Sequence, residues 1–233
     1  QFRLAARSNP SHPAALIYQG QVLDDQKQYA EAARMYAAAL ALDTNSFPAA
    51  YNLGRMYEAT GDPARAVASY RQALQIQPRS VEALCNLGNA LLGLGKLQEA
   101  LTSLLEAIAI KPDDVETNLA LSKAYRLSGQ LAAAGRHAQA VISAAPGNHN
   151  GYISSGLILG AQGLHDEAIR AFNKALDLQP ENIEARFNLA EALRLHKDYE
   201  QAMQMYEKVV KIDPKNGLAR QPCRCTRRWS RSI

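Results

Sequence analysis

A chain that copies itself at a fixed step of a few tens of residues does not wrap one closed core; each copy must bury its apolar face on the next. Here the stretch Val81–Asp114, VEALCNLGNALLGLGKLQEALTSLLEAIAIKPDD, sets that step at 34 residues. It aligns without insertion or deletion on 13–46, 47–80, 115–148, 149–182 and 183–216. Inside it Leu84, Leu87, Gly88 and Leu91 recur at i, i+3, i+4 and i+7, one stripe of an amphipathic helix, which Gly93 and Gly95 end. A second stripe follows in Leu97, Ala100, Leu101, Leu104, Ala107 and Ile108, and Pro112 closes it because proline cannot continue a helix. The spacing therefore predicts an antiparallel helix pair per copy.

Small residues recur where two helices must come closest. The eighth position of the copies reads Gly20, Gly54, Gly88, Ser122, Gly156 and Ala190, and the twentieth is alanine throughout, from Ala32 to Ala202. The thirty-second reads Thr44, Pro78, Pro112, Pro146, Pro180 and Pro214. This pattern resembles the tetratricopeptide repeat family over residues 13–216. The resemblance implies an all-α, right-handed superhelix (an α-α solenoid) of about 12 full helices.

Extending the register backwards puts Phe2, Ala5 and Pro10 on the positions of Tyr36, Ala39 and Thr44, so residues 1–12 read as the end of a truncated preceding repeat. After 216 the period stops. Residues 217–233 read as a partial cap followed by an irregular basic tail whose five arginines account for the excess of 26 basic over 22 acidic residues. A nucleic-acid contact or half of a metal site around Cys223 and Cys225 is a weaker reading of that tail than an end with nothing to pack. No stretch of about 18 apolar residues spans a membrane. With 47% apolar and 21% charged residues the balance is that of a soluble protein, and three scattered cysteines, no disulfide framework, point to a reducing, cytoplasmic setting.

Catalytic chemistry finds no support. There is no phosphate-cradling glycine loop, no HExxH, no GxSxG and no spaced ligand set, so neither cofactor, metal nor small-molecule substrate is expected. The five histidines, His12, His137, His149, His165 and His196, fall at unrelated repeat positions, mostly near helix ends, and suit capping or solvated roles.

What remains is a surface. In the family resembled, the first helices of successive repeats line a concave groove through their second, fifth, sixth, ninth and twelfth positions. On this chain those positions place Tyr51, Asn52, Arg55, Asn86, Asn89, Lys123 and Arg126 in one expected stripe over the second to fourth repeats, with Asn188 at the sixth position of the last. An amide offers a donor and an acceptor together, which suits a peptide backbone. The copies also resemble the superhelical repeats of O-linked N-acetylglucosamine transferases, whose asparagine ladder Asn52, Asn86 and Asn188 would match, while Ala120 and Ser154 break it. The other known groove, a carboxylate clamp, needs lysine at the second or fifth position, and none stands there. Two functions follow as expectations: a protein-interaction scaffold holding an extended segment of a partner protein, or the substrate-recruiting arm of a larger enzyme such as a glycosyltransferase.

Overall fold

The computed structural model describes residues 12–214; the readings made above for residues 1–11 and 217–233 lie outside them. Among the described residues there are twelve helices and no strand. They are α1 (Pro13–Asp25), α2 (Tyr29–Leu42), α3 (Phe47–Ala59), α4 (Pro63–Ile76), α5 (Val81–Gly93), α6 (Leu97–Ile110), α7 (Val115–Leu127), α8 (Leu131–Ala144), α9 (His149–Ala161), α10 (His165–Leu178), α11 (Ile183–Leu195) and α12 (Tyr199–Ile212). First helices have 13 residues and second helices 14, alternating as the period requires. None of them is long and apolar enough to cross a membrane.

The ends of the helices follow from local chemistry. The last residue of each repeat can accept a hydrogen bond, and Ser80, Asn148 and Asn182 cap the following helix by accepting from the backbone N–H of Ala83, Asn150 and Ala185. Asp114 does the same for Thr117 at 3.1 Å. Between the two helices of a repeat the chain closes each time with one motif. The N–H of the sixteenth residue donates to the carbonyl of the eleventh, as in Asp62 to Tyr57 and Lys96 to Leu91, and the fifteenth residue takes a left-handed φ. That residue is Gly61, Gly95, Gly129 or Gly163 in four repeats but Lys27 and Lys197 in the outer two, so the turn is imposed even where the side chain resists it.

The chain divides into two compact units, one up to Ala120 and one from Leu121. In the first unit α2 touches both α1 and α3, α4 touches both α3 and α5, and α6 packs on α5. Consecutive first helices also touch, α1 with α3 and α3 with α5. The second unit repeats the scheme with α8 on α9, α10 on α9 and α11, and α9 on α11.

Packing inside each pair explains the small eighth position. A Cβ on Gly54 would lie 2.6 Å from the Tyr70 ring, one on Gly88 2.5 Å from Leu104, and one on Gly156 2.6 Å from Phe172, all far inside contact distance. The alanines of the twentieth position are fully buried throughout. Stripe residues Leu84, Leu87, Leu91, Leu101 and Leu104 are buried as their periodicity predicts.

Candidate functional site

In the first unit the expected stripe comes together on consecutive helices α3 and α5. Tyr51, Asn52 and Arg55 lie one turn apart on α3, and Asn86 and Asn89 on α5. Asn86 Nδ2 donates to the Tyr51 hydroxyl at 3.1 Å, a contact between two repeats. The Tyr51 ring stacks on Phe47 with centroids 5.6 Å apart and leans on Tyr70 at 5.9 Å. Burial comes first in holding the Tyr51 hydroxyl above its ordinary range, with the field of Glu82 adding to it and Arg55 and the Asn86 bond opposing. The phenol is therefore neutral and free to act as donor or acceptor.

Arg55 is not the free cation expected from its position. Its Nη1 is 3.4 Å from Asp24 Oδ2 on α1 and donates to Asn52 Oδ1 at 3.3 Å. Asn52 consequently turns its Nδ2 group, a donor, away from that contact. Asn89 is exposed and makes only a weak bond to the Cys85 sulfur at 3.8 Å. The fifth position differs from the expectation too. Cys85 is 4% exposed and, mainly by burial, its thiol is pushed up to about 11, so it is packing and not a lining residue.

Beneath this face runs a feature that the sequence reading missed. The Tyr70 hydroxyl donates to Glu58, and burial first and that bond second raise its pKa. Tyr36, at the matching place one repeat earlier, is fully buried and its hydroxyl has no partner, while Asp24 is paired with Arg55. The signal was present in the sequence as an aromatic twelve residues after an acid, Asp24–Tyr36 and Glu58–Tyr70.

The second unit carries the remaining candidates on its own helices. Lys123 is exposed and Arg126 half-buried on α7, and Asn188 is half-buried on α11. Beside Asn188 the surface is already paired: Glu191 accepts from the Tyr206 hydroxyl and from Arg194 Nε and Nη2, at 3.2 and 2.7 Å for the arginine. Three of the histidines serve local structure: His12 caps α1 through Nδ1, His137 stacks on Tyr125 at 5.5 Å, and His196 Nδ1 sits 3.1 Å from Asp166. Among the described residues no group of three or more His, Cys, Asp or Glu could hold a metal ion.

Comparison with known proteins gives a consistent picture. Models described as tetratricopeptide repeat match residues 160–221, residues 47–113, and residues 1–47 with 85–149. A curated relative, the uncharacterized protein ycf37 of Cyanophora paradoxa, is 41% identical over 70 residues, which are 30% of this chain and 41% of that protein. The chain thus spans less than half the length of this relative. Among solved structures, the APC/C hetero-tetramer Cut9-Hcn1 superposes with a TM-score of 0.85 at 16% identity, covering 97% of this chain and 44% of the other. YrrB, described as a TPR protein with an unusual peptide-binding site, superposes with a TM-score of 0.64 at 23% identity, covering 79% of this chain and 95% of its own.

Proposed function

Because this chain belongs to the tetratricopeptide repeat family, we propose that it is a protein-interaction scaffold whose first unit holds an extended segment of a partner along Tyr51, Asn52, Asn86 and Asn89. The observation that carries the reading is the bond from Asn86 to Tyr51, which fixes an amide and a phenol side by side on two neighbouring repeats. With Asn52 oriented by Arg55, the face offers a donor on one repeat and donor and acceptor groups on the next. Packed helices lie ~8–10 Å apart and an extended strand rises ~3.3 Å per residue, so each repeat would meet the segment about every third residue. The peptide-binding site named for YrrB supports such a use of the fold. Arg55, tied to Asp24, positions Asn52 and adds little charge to the ligand. Lys123, Arg126 and Asn188 are candidate contacts of the second unit, where the two cations suit an acidic flank.

The test is titration of a partner peptide obtained by pull-down. Asn86→Ala is expected to weaken binding by roughly 1–3 kcal/mol if it leaves the peptide group buried and unpaired. Lys123→Ala is expected to act through charge and to lose its effect as salt rises. Unchanged affinity in Asn52→Ala, Asn86→Ala and Asn89→Ala, with circular dichroism intact, would move the binding face elsewhere. A second reading, the substrate-recruiting arm of a larger glycosyltransferase, is favoured by Asn52, Asn86 and Asn188 standing at the ladder position. Sequencing of the full parent reading frame tests it: a frame without a catalytic domain refutes this reading and leaves the scaffold standing.

A further inference from the structure

Away from the face just described, the first unit has a cavity of about 300 Å³ between α2 and the α3–α4 hairpin. Its floor is Ala30, Ala33 and Ala37 on α2, three small residues on one face, and its sides are Arg34, Tyr57, Thr60 and Arg65. No carboxylate lines it. The Arg65 guanidinium lies 4.5 Å above the centre of the Tyr57 ring, held by Asp62 at 2.6 Å, so its orientation is fixed. Arg34 is exposed and has no ion-pair partner among the described residues. Thr60 spends its hydroxyl hydrogen on the Met56 carbonyl at 2.9 Å, so the donors at this cavity are the arginines.

The next junction along the chain shows what is missing. There the residue matching Ala37 is Arg71 and the residue matching Arg65 is Glu99, and the two meet as an ion pair at 2.5 Å across the repeats. At the first junction Ala37 is too short to reach across and carries no charge, so Arg65 pairs only with Asp62 of its own repeat and has no partner from the preceding one. In the register of the chain the nineteenth position is otherwise Glu31, Glu99, Ala133, Glu167 or Gln201, and the twenty-fifth otherwise Arg71, Leu105, Gln139, Asn173 or Glu207. Only this junction combines an arginine at the first with an alanine at the second.

We propose that this cavity is an oxyanion site, in which a carboxylate or phosphate group sits between Arg34 and Arg65 over the alanine floor and supplies the acid that position 37 lacks. Two guanidinium groups present forked donors suited to either oxyanion. The site is independent of the peptide face, since none of its residues belongs to that stripe.

The experiment follows backbone amide shifts of residues 30–37 and 57–65 in the intact chain at constant ionic strength. Inorganic phosphate, acetate and N-acetyl-glutamate amide are titrated in turn. Saturation by phosphate alone assigns the site to free phosphate or a phosphomonoester; saturation by acetate and the blocked glutamate assigns it to a carboxylate side chain. Arg34→Gln is expected to weaken binding about tenfold. Ala37→Glu is expected to abolish it and to raise the melting temperature by closing the junction from within. Arg79→Gln, an equal change of charge outside the cavity, is expected to leave binding unchanged. A response to none of the three probes, a response matched by chloride, or equal binding in Arg34→Gln and Ala37→Glu would overturn the proposal.

Discussion

The third and fourth repeats fill the same place in the helix pair with different amounts of side chain. In the third, α5 gives up its side chain at Gly88 and α6 fills the space with Leu104, fully buried. In the fourth, α7 carries Ser122 and α8 carries Ala138, both almost wholly buried, and the serine hydroxyl has no hydrogen-bond partner. The sixth repeat buries Ala190 and Tyr206 at the same two positions. The backbone period stays at 34 in all of them. What the period demands is a small residue on the first helix, glycine, serine or alanine, while the side chain opposite it varies from alanine to tyrosine. The difference is in quality: the glycine–leucine pair is apolar and close-packed, whereas the serine–alanine pair buries an unsatisfied hydroxyl and loses apolar contact.

The largest expected effect breaks the well-packed side of that comparison. Leu104→Ala is expected to cost about 2–5 kcal/mol in urea unfolding by opening a cavity, and Gly88→Ala about 1–3 kcal/mol by overpacking. The double change Gly88→Ser with Leu104→Ala transplants the fourth repeat's pair into the third. It is expected to be less destabilised than Leu104→Ala alone; a greater loss would show that the two repeats are not alternative solutions.

Next come the aromatic versions of the same position. Tyr70 donates to Glu58, whereas the Tyr36 hydroxyl is buried and unpartnered and burial pushes it up to about 12. Tyr70→Phe is expected to cost about 1–2 kcal/mol and Tyr36→Phe to be neutral or stabilising, since only the first removes a bond. Equal losses in thermal melts of the two variants would contradict the geometry. Ser122→Ala is expected to be neutral to stabilising by up to about 1 kcal/mol, because it removes a buried hydroxyl that bonds to nothing. Destabilisation there would mean that the fourth repeat's serine earns its place in packing.

The smallest effect concerns pH, again in the fourth repeat. Burial, with Arg136 second, holds His137 below the ordinary histidine value of 6.5. The unfolded chain therefore binds a proton that the folded chain refuses, so stability is full above that value and falls as pH drops through it. His137→Gln is expected to flatten the pH dependence of the melting temperature between pH 7 and 5, and an unchanged slope would remove the histidine as its source.

The repeat was legible because its causes are local. Apolar residues at helical spacing, cap residues at the end of each copy and prolines after every second helix but the first act within a few residues of themselves. The helices accordingly run where the pattern places them. Of the glycines of α9, only Gly156 was legible as a packing residue, through its eighth position. A Cβ on Gly151 would meet Val141 at 2.9 Å and one on Gly156 would meet Phe172, so these two are required by packing, while Gly160 has open space around it. The sequence could not separate Gly151 from Gly160, since the neighbours that decide it come from another helix.

The candidate face shows the same divide. Sequence alone determined which side chains stand at positions 5, 6, 9 and 12 of each repeat, because register is a property of the chain. Only the tertiary structure decided what those side chains do. Arg55 is held by Asp24 from 31 residues away, Asn86 by Tyr51 from 35, and Cys85 is sealed inside. The physical reason is that a period fixes the direction in which a side chain leaves its helix, but hydrogen bonds and ion pairs depend on distances of a few ångströms between helices, and these are set by packing volumes summed over both repeats.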